Sequence, residues 1–265
     1  MSSPFAPPRP EITWVGHATT LIELDGVRIL TDPALTPRLA HLRRHHQVET
    51  DGLAPDVVLI SHIHMDHLHM ASLRLLLHGR ERPLSVVVPH GARRLLPSDE
   101  RISVTETRVG HTHRFASVTV ETVKAVHSHS RGPHRRVRAE AVGFVVRGAD
   151  TSVYFAGDTD LFDEMAHLNA DVSLVPIGGW GRTVGPGHLD AHSAVDAVRL
   201  LGDATVVPIH WGTYSPLALR AGPPQWLTRP VETFASNLTE AGLSGRVHLL
   251  EPGGTMNPEV ATDPT

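Results

Sequence analysis

Residues 61–70 read SHIHMDHLHM and follow directly on DVVLIS, a short apolar run suited to a buried strand. A strand that runs out into four histidines and an aspartate constrains the fold more than any other stretch. Crowded imidazoles and carboxylates at a strand end have to be solvated, hydrogen-bonded or bound to a cation. In an extended segment residues two apart share a face, so His62, His64 and Asp66 are expected to point the same way. His67, at the turn into the next helix, aims at a neighbouring point. Neutral imidazole and carboxylate are good ligands for zinc and similar divalent ions. A lone histidine is more often a loop residue or a core group bonded to backbone, but H-x-H-x-D-H straight after a buried strand reads as a metal site.

Further along, other strand ends carry the same chemistry. FAGD closes the run 152–156 with Asp158, VPIH closes 205–209 with His210, and KAVH ends an apolar-patterned segment at His127. Loops at one edge of a sheet are where such chains build their sites, on a rigid scaffold. Distant segments are therefore expected to converge on one cluster.

Composition narrows the chemistry. The chain has no cysteine, which excludes disulfides and thiolate sites and leaves nitrogen and oxygen to hold any transition metal. Lys124 is the single lysine, so neither a lysine nucleophile nor a Walker-type phosphate site is expected. G-x-S-x-G and S-x-x-K are also missing. The net charge of −4 gives no reason to expect a nucleic-acid partner, although RGPHRRVR (131–138) is a local basic stretch. MSSPFAPPRP lacks the apolar run of a signal peptide, and no apolar stretch reaches the roughly 18 residues of a membrane span. A soluble, cytoplasmic protein is the expectation.

The strand signals are TTLIELDGVRILT (19–31), with a hairpin at Asp25-Gly26, and runs at 84–88, 117–123, 141–146, 152–156, 172–177 and 205–209. Helices are expected over SLRLLLHG (72–79), after Asp190 with an apolar face of Ala194, Val195, Val198 and Leu201, and over 230–242. Strands and helices alternate, yet hairpins intervene. The pattern fits an α+β fold of two mixed β-sheets packed together with helices outside. We expect a loose arm over 1–10, one domain over 11–257 and a tail over 258–265.

H-x-H-x-D-H, a distant histidine, then G-D-T and a final histidine resemble the metallo-β-lactamase superfamily of binuclear metallohydrolases, over about residues 11–255. WVGHATTLIELDGVRILTDP (14–33), PIG (176–178), GHLDAHSAV (187–195) and IHWGTY (209–214) are similar to the branch containing N-acyl-phosphatidylethanolamine-hydrolysing phospholipase D and, more distantly, the ascorbate phosphate lactonase. The resemblance implies a four-layer αβ/βα sandwich and two divalent metal ions, zinc first, with manganese or iron as alternatives. It implies that His62, His64 and His127 hold one ion and Asp66, His67 and His210 the other, with Asp158 bridging. It places Asp32 of T-D-P behind a ligand histidine, holding its other ring nitrogen; a turn aspartate before Pro33 is the alternative. Asp66 and His188 are expected to take part in the reaction, His188 at the phosphate or leaving group; a surface histidine is its alternative. His17 of GHATT is expected near the site and off the metal.

Where the branch has H-W-S after the third ligand, this chain reads HSHSRGPHRR (127–136), which makes His129 a rival to His127. His134, Arg135 and Arg136 could bind an anionic group there or be solvated. Trp180 in PIGGWGRTVGPG could floor a pocket for an apolar moiety or lie in the core. His41, His45, His46, His69, His78, His90, His111 and His113 are read as surface or structural. The implied reaction is hydrolysis of a small-molecule or lipid-like anionic substrate, first a phosphodiester and second a lactone or phosphorylated sugar lactone, with β-lactams third. A metal-binding sensor without turnover and a nuclease are the competing readings. A homo-oligomer is open, because related lactonases assemble.

Overall fold

The computed structural model describes residues 10–131, 137–219 and 223–258. Most of the expected arm and tail, together with His134, Arg135 and Arg136, lie outside them.

Strict alternation along the first strands sends side chains into two separate cores. Ile22, Val27, Ile29, Val57, Leu59 and Val87 enter one apolar cluster, and Leu21, Leu30, Val58, Ile60, Val86 and Val88 enter another. A sheet buried on both faces needs apolar residues at nearly every position, which is why these runs show little polar alternation. This sheet has seven strands, in the order Thr255–Met256, Glu11–Gly16, Thr19–Leu24, Val27–Thr31, Val57–Leu59, Leu84–Pro89 and Ile102–Thr107. Its first four strands pair antiparallel, and the pairs from Val27–Thr31 onward are parallel. The hairpin turns at Asp25-Gly26, where both residues have positive φ, as such a two-residue turn requires.

A second sheet of six strands runs Thr205–Ile209, Val172–Pro176, Ser152–Phe155, Val142–Arg147, Val118–Lys124 and Thr112–Phe115. It too is mixed, parallel among the first three strands and antiparallel beyond. Phe144, Phe155, Val120 and Leu174 share a core with Trp14 and Ile22 of the first sheet. Leu73 and Leu76 of helix Met70–Leu76 cover the other face of the first sheet. Ala194 and Val198 of helix Ser193–Leu200, and Phe234 and Leu238 of helix Arg229–Glu240, extend the core beyond the second. The architecture is the expected helix–sheet–sheet–helix sandwich.

Three details differ from the sequence reading. The segment after Ile60 is extended only to His64. Backbone N–H groups of His67 and Leu68 then donate to His64 O, and a turn carries Asp66 and His67. Asp190 caps a turn rather than the helix itself: its Oδ1 accepts from the N–H groups of His192 and Ser193, and the helix begins at Ser193. Strands Glu11–Gly16, Ile102–Thr107, Thr112–Phe115 and Thr255–Met256, and a small sheet of Arg38–Leu39, Leu42–Arg44 and Tyr214–Pro216, were not expected. Their residues are mostly charged, hydroxylated or histidine, and lack an apolar run. Among the described residues no helix is long and apolar enough to cross a membrane.

Candidate metal centre

Four strands deliver the cluster at one end of the sandwich. Val57–Leu59 leads to His62, His64, Asp66 and His67; Val118–Lys124 leads to His127; Ser152–Phe155 leads to Asp158; Thr205–Ile209 leads to His210. Gly157 lets the chain leaving Ser152–Phe155 pass close to the one leaving Val57–Leu59: its φ is +61°, and a Cβ there would lie 2.4 Å from Ser61 Cβ. No other residue type fits at that crossing.

The potential donor atoms of His62, His64, His127 and Asp158 lie within 4.8 Å of one another, as do those of His17, Asp66, His67 and His210. Asp158 stands between the groups. Its Oδ1 is 3.2 Å from His210 Nε2, and its Oδ2 is 3.1 Å from His67 Nε2 and 3.9 Å from His62 Nε2. All seven residues expected to bind metal are thus brought together. His129 is not; it lines a separate cleft with His90, Arg108 and Arg138.

Second partners turn the ring nitrogens inward. His127 Nδ1–H donates to Gly187 O at 2.6 Å, and His210 Nδ1–H to Gly178 O at 2.7 Å. Asp32, fully buried, accepts from Ser61 N–H (2.7 Å), Ser61 Oγ–H (2.5 Å) and His67 Nδ1–H (2.6 Å). Ser61 Oγ, its own proton given to Asp32, is left to accept from His62 Nδ1–H at 2.9 Å. His62 Nε2 and His127 Nε2 therefore present lone pairs, and both face His64 Nδ1, at 3.0 and 3.1 Å. One proton on His64 cannot satisfy both. His67 Nε2, His210 Nε2 and Asp158 Oδ1 are buried with no hydrogen-bond partner among the described residues. Buried polar atoms left unpaired cost free energy, and a cluster of lone pairs converging on two carboxylates is relieved by cations. These residues fit a metal centre.

Electrostatics agree with the geometry. Burial pushes the imidazole pKa values down, well below the usual range at His62, to about 4 at His127 and to about 3 at His210. Those rings are neutral at pH 7 and ready to ligate. Burial opposes charge on Asp158 and Asp66 as well, yet the neighbouring histidines hold both well below the ordinary carboxylate range. His67 is the exception: against burial, Asp158, Asp66 and Asp32 hold it well above the usual value. A ring protonated at pH 7 must give up its proton when a cation takes its place. Loading metal-free protein at pH 7 is therefore expected to release at least one proton per chain, measured by titration calorimetry in buffers of different ionisation enthalpy. Binding without proton release would show that His67 is neutral.

A cleft of about 640 Å³ opens onto the cluster. Leu39, Leu42, Met65, Trp180 and Val184 form its apolar walls, and His64, Asp66, Asp158, His188 and His210 line its floor. His188 Nδ1–H donates to Gly185 O at 3.0 Å, which leaves Nε2, 3.6 Å from Asp158 Oδ2, turned toward the cleft. Sequence reading missed His41, whose ring packs edge-on to Trp180 at 5.3 Å and lines the cleft. Its position depends on the small unexpected sheet, so no local pattern could reveal it.

A mixed-sheet sandwich that gathers histidines and aspartates at its strand ends is built to hold metal. The pattern of the beta-lactamase superfamily domain matches residues 27–211. A UPF0173 metal-dependent hydrolase of Exiguobacterium sp. is 32% identical over 251 residues, spanning 92% of this chain and 98% of its own. N-acyl-phosphatidylethanolamine-hydrolyzing phospholipase D 1 of Caenorhabditis elegans is 27% identical over 227 residues, 76% of this chain and 64% of that protein. The solved structure of a metallo hydrolase from Ignicoccus hospitalis superposes with a TM-score of 0.67 at 23% identity, over 93% of this chain and 97% of that one. The chain belongs to the beta-lactamase superfamily, as a metal-dependent hydrolase.

Proposed function

We propose that this is a binuclear hydrolase that cleaves an ester bond in a small or lipid-like substrate carrying an apolar group, with a phosphodiester as the first candidate. The observation that carries the reading is the joint between cleft and cluster: apolar walls end directly on Asp66, Asp158, His188 and His210. Two divalent cations, zinc first and manganese or iron as alternatives, would be held by His62, His64 and His127 and by Asp66, His67 and His210, with Asp158 between, and would supply Lewis acidity and an ionised water.

The chain's own residues do the rest. Asp32 and the carbonyls of Gly178 and Gly187 fix the tautomers of His67, His210 and His127. Trp180, Met65, Leu39 and Leu42 cover the apolar part of the substrate and keep water from it. His188 carries or receives a proton at Nε2, on the cleft side of Asp158. His188→Gln is expected to lower kcat by about 10²–10⁴-fold, the usual range for a general acid or base, while metal content stays at the wild-type level. An unchanged kcat would remove His188 from the reaction.

The phosphodiester reading draws support from the named activity of the C. elegans relative. A lactone is the second reading, favoured by the absence of arginine and lysine from the cleft lining among the described residues. An uncharged ester needs no cation from the chain. The test is turnover of bis-p-nitrophenyl phosphate and of a lactone panel by protein loaded with zinc or manganese. Metal-dependent hydrolysis of either class supports the enzyme reading and selects between the two bonds. No turnover of any member would favour a metal-binding sensor.

A further inference from the structure

Among the described residues seven non-glycines have φ in the left-handed region, and three of them, His17, Asp32 and His210, meet at the metal centre. Such backbone is unfavourable for an L-residue, whose Cβ crowds the following carbonyl oxygen, and persists where surrounding structure enforces it. For His17 the enforcement is explicit. Strand Glu11–Gly16 shifts register between Trp14 and Gly16, and the chain turns sharply at Gly16, φ +121°. His17 N–H then donates to Thr213 Oγ1 at 2.7 Å, and its carbonyl accepts from His210 N–H (2.8 Å) and Trp14 Nε1–H (2.9 Å).

So held, the His17 ring is 1% exposed. It packs on the His210 ring at a centroid distance of 4.0 Å, with the edge of Tyr214 at 5.4 Å behind it. Tyr214 is itself anchored by its hydroxyl to Ala34 O and Thr36 O. His17 Nε2 lies 2.9 Å from Asp66 Oδ2. An ionised carboxylate can only accept, so Nε2–H donates, and that nitrogen has no lone pair left for a cation.

We propose that His17 is a positioning residue for one cation of the pair: it fixes the Asp66 carboxylate and the His210 ring together without ligating. The inference rests on the two-cation reading above. It has a directional consequence. Removing His17 weakens the ion held by Asp66, His67 and His210, and leaves the one held by His62, His64 and His127, with which His17 makes no hydrogen bond among the described residues.

The experiment compares wild type, His17→Ala and His17→Asn. Each full-length protein is loaded with zinc, dialysed against buffered zinc concentrations and assayed for ions per chain. Cobalt absorption spectra and circular dichroism of the same samples report the ligand field and the fold. The expected result is two ions for wild type. In His17→Ala one ion stays at wild-type affinity and the other binds about 10–100-fold more weakly, the usual loss for an outer partner of a ligand. His17→Asn tolerates left-handed backbone and keeps an N–H donor, so it recovers part of that loss. Two ions at wild-type affinity in His17→Ala, or equal weakening of both, overturns the inference alone. Fewer than two ions in wild type overturns the two-cation reading and the inference with it. If His17→Ala does not fold, the second-ion affinity of His17→Asn decides, with a wild-type value overturning the proposal and a weakened one supporting it.

Discussion

Asp158→Ala is expected to lose metal-dependent turnover by about 10³-fold or more, equivalent to ~4 kcal/mol of barrier. The reason is placement. One carboxylate faces both donor groups, with Oδ1 toward His210 and Oδ2 toward His67 and His62. Alanine leaves each group one donor short and removes the negative charge that two adjacent cations need between them. His67 also loses its strongest attractive neighbour, so its pKa falls from its raised value and the proton released on metal loading shrinks or disappears. Kinetics on the best substrate of the panel, metal analysis and the calorimetric proton count check the three parts together. Turnover within tenfold of wild type would mean that the hydrolysis comes from another site or from a contaminant.

The second large effect falls on stability as well as on metal. Asp32 is fully buried and accepts three hydrogen bonds, from Ser61 N–H, Ser61 Oγ–H and His67 Nδ1–H. Removing one partner of such a network strands buried donors, at about 3–5 kcal/mol. Asp32→Ala is therefore expected to lower the denaturation midpoint of the metal-free protein and to weaken metal binding about 10–100-fold, because His67 loses what fixes its ring. Asp32→Asn keeps a carbonyl acceptor and is expected to fall between. Chemical denaturation monitored by circular dichroism measures the first effect and zinc titration the second. A loss under about 1 kcal/mol would show that water satisfies those donors.

Much of this centre was legible because each expected ligand ends a run whose apolar character is itself readable. DVVLIS, SVYFA and TVVPI are buried strands, and His62, Asp158 and His210 come one to three residues after the strands they follow. Position after a strand thus located the residue in space without any knowledge of the connections between strands. The family resemblance then grouped the ligands, which spacing alone could not do. The turn expected at His67 begins earlier, at His64, and takes in Asp66, because an alternating H-x-H-x-D pattern is equally compatible with an extended chain. The wall of the cleft was illegible for a different reason. Leu42–Arg44 pairs with Arg38–Leu39 on one side and with Tyr214–Pro216, more than 150 residues along, on the other, and none of the three has a strand-like apolar pattern. Only that pairing places His41 against Trp180. His17 was read as lying near the site, but its bond to Asp66 depends on a bulge and a left-handed residue that composition does not announce.

The most direct test is a crystal structure of the zinc-loaded protein, with anomalous diffraction data collected on both sides of the zinc absorption edge. Two peaks are expected, one among His62, His64 and His127 and one among Asp66, His67 and His210, each within bonding distance of Asp158. A single peak, or density at any other group of side chains, would contradict a paired-cation centre at the ends of these four strands.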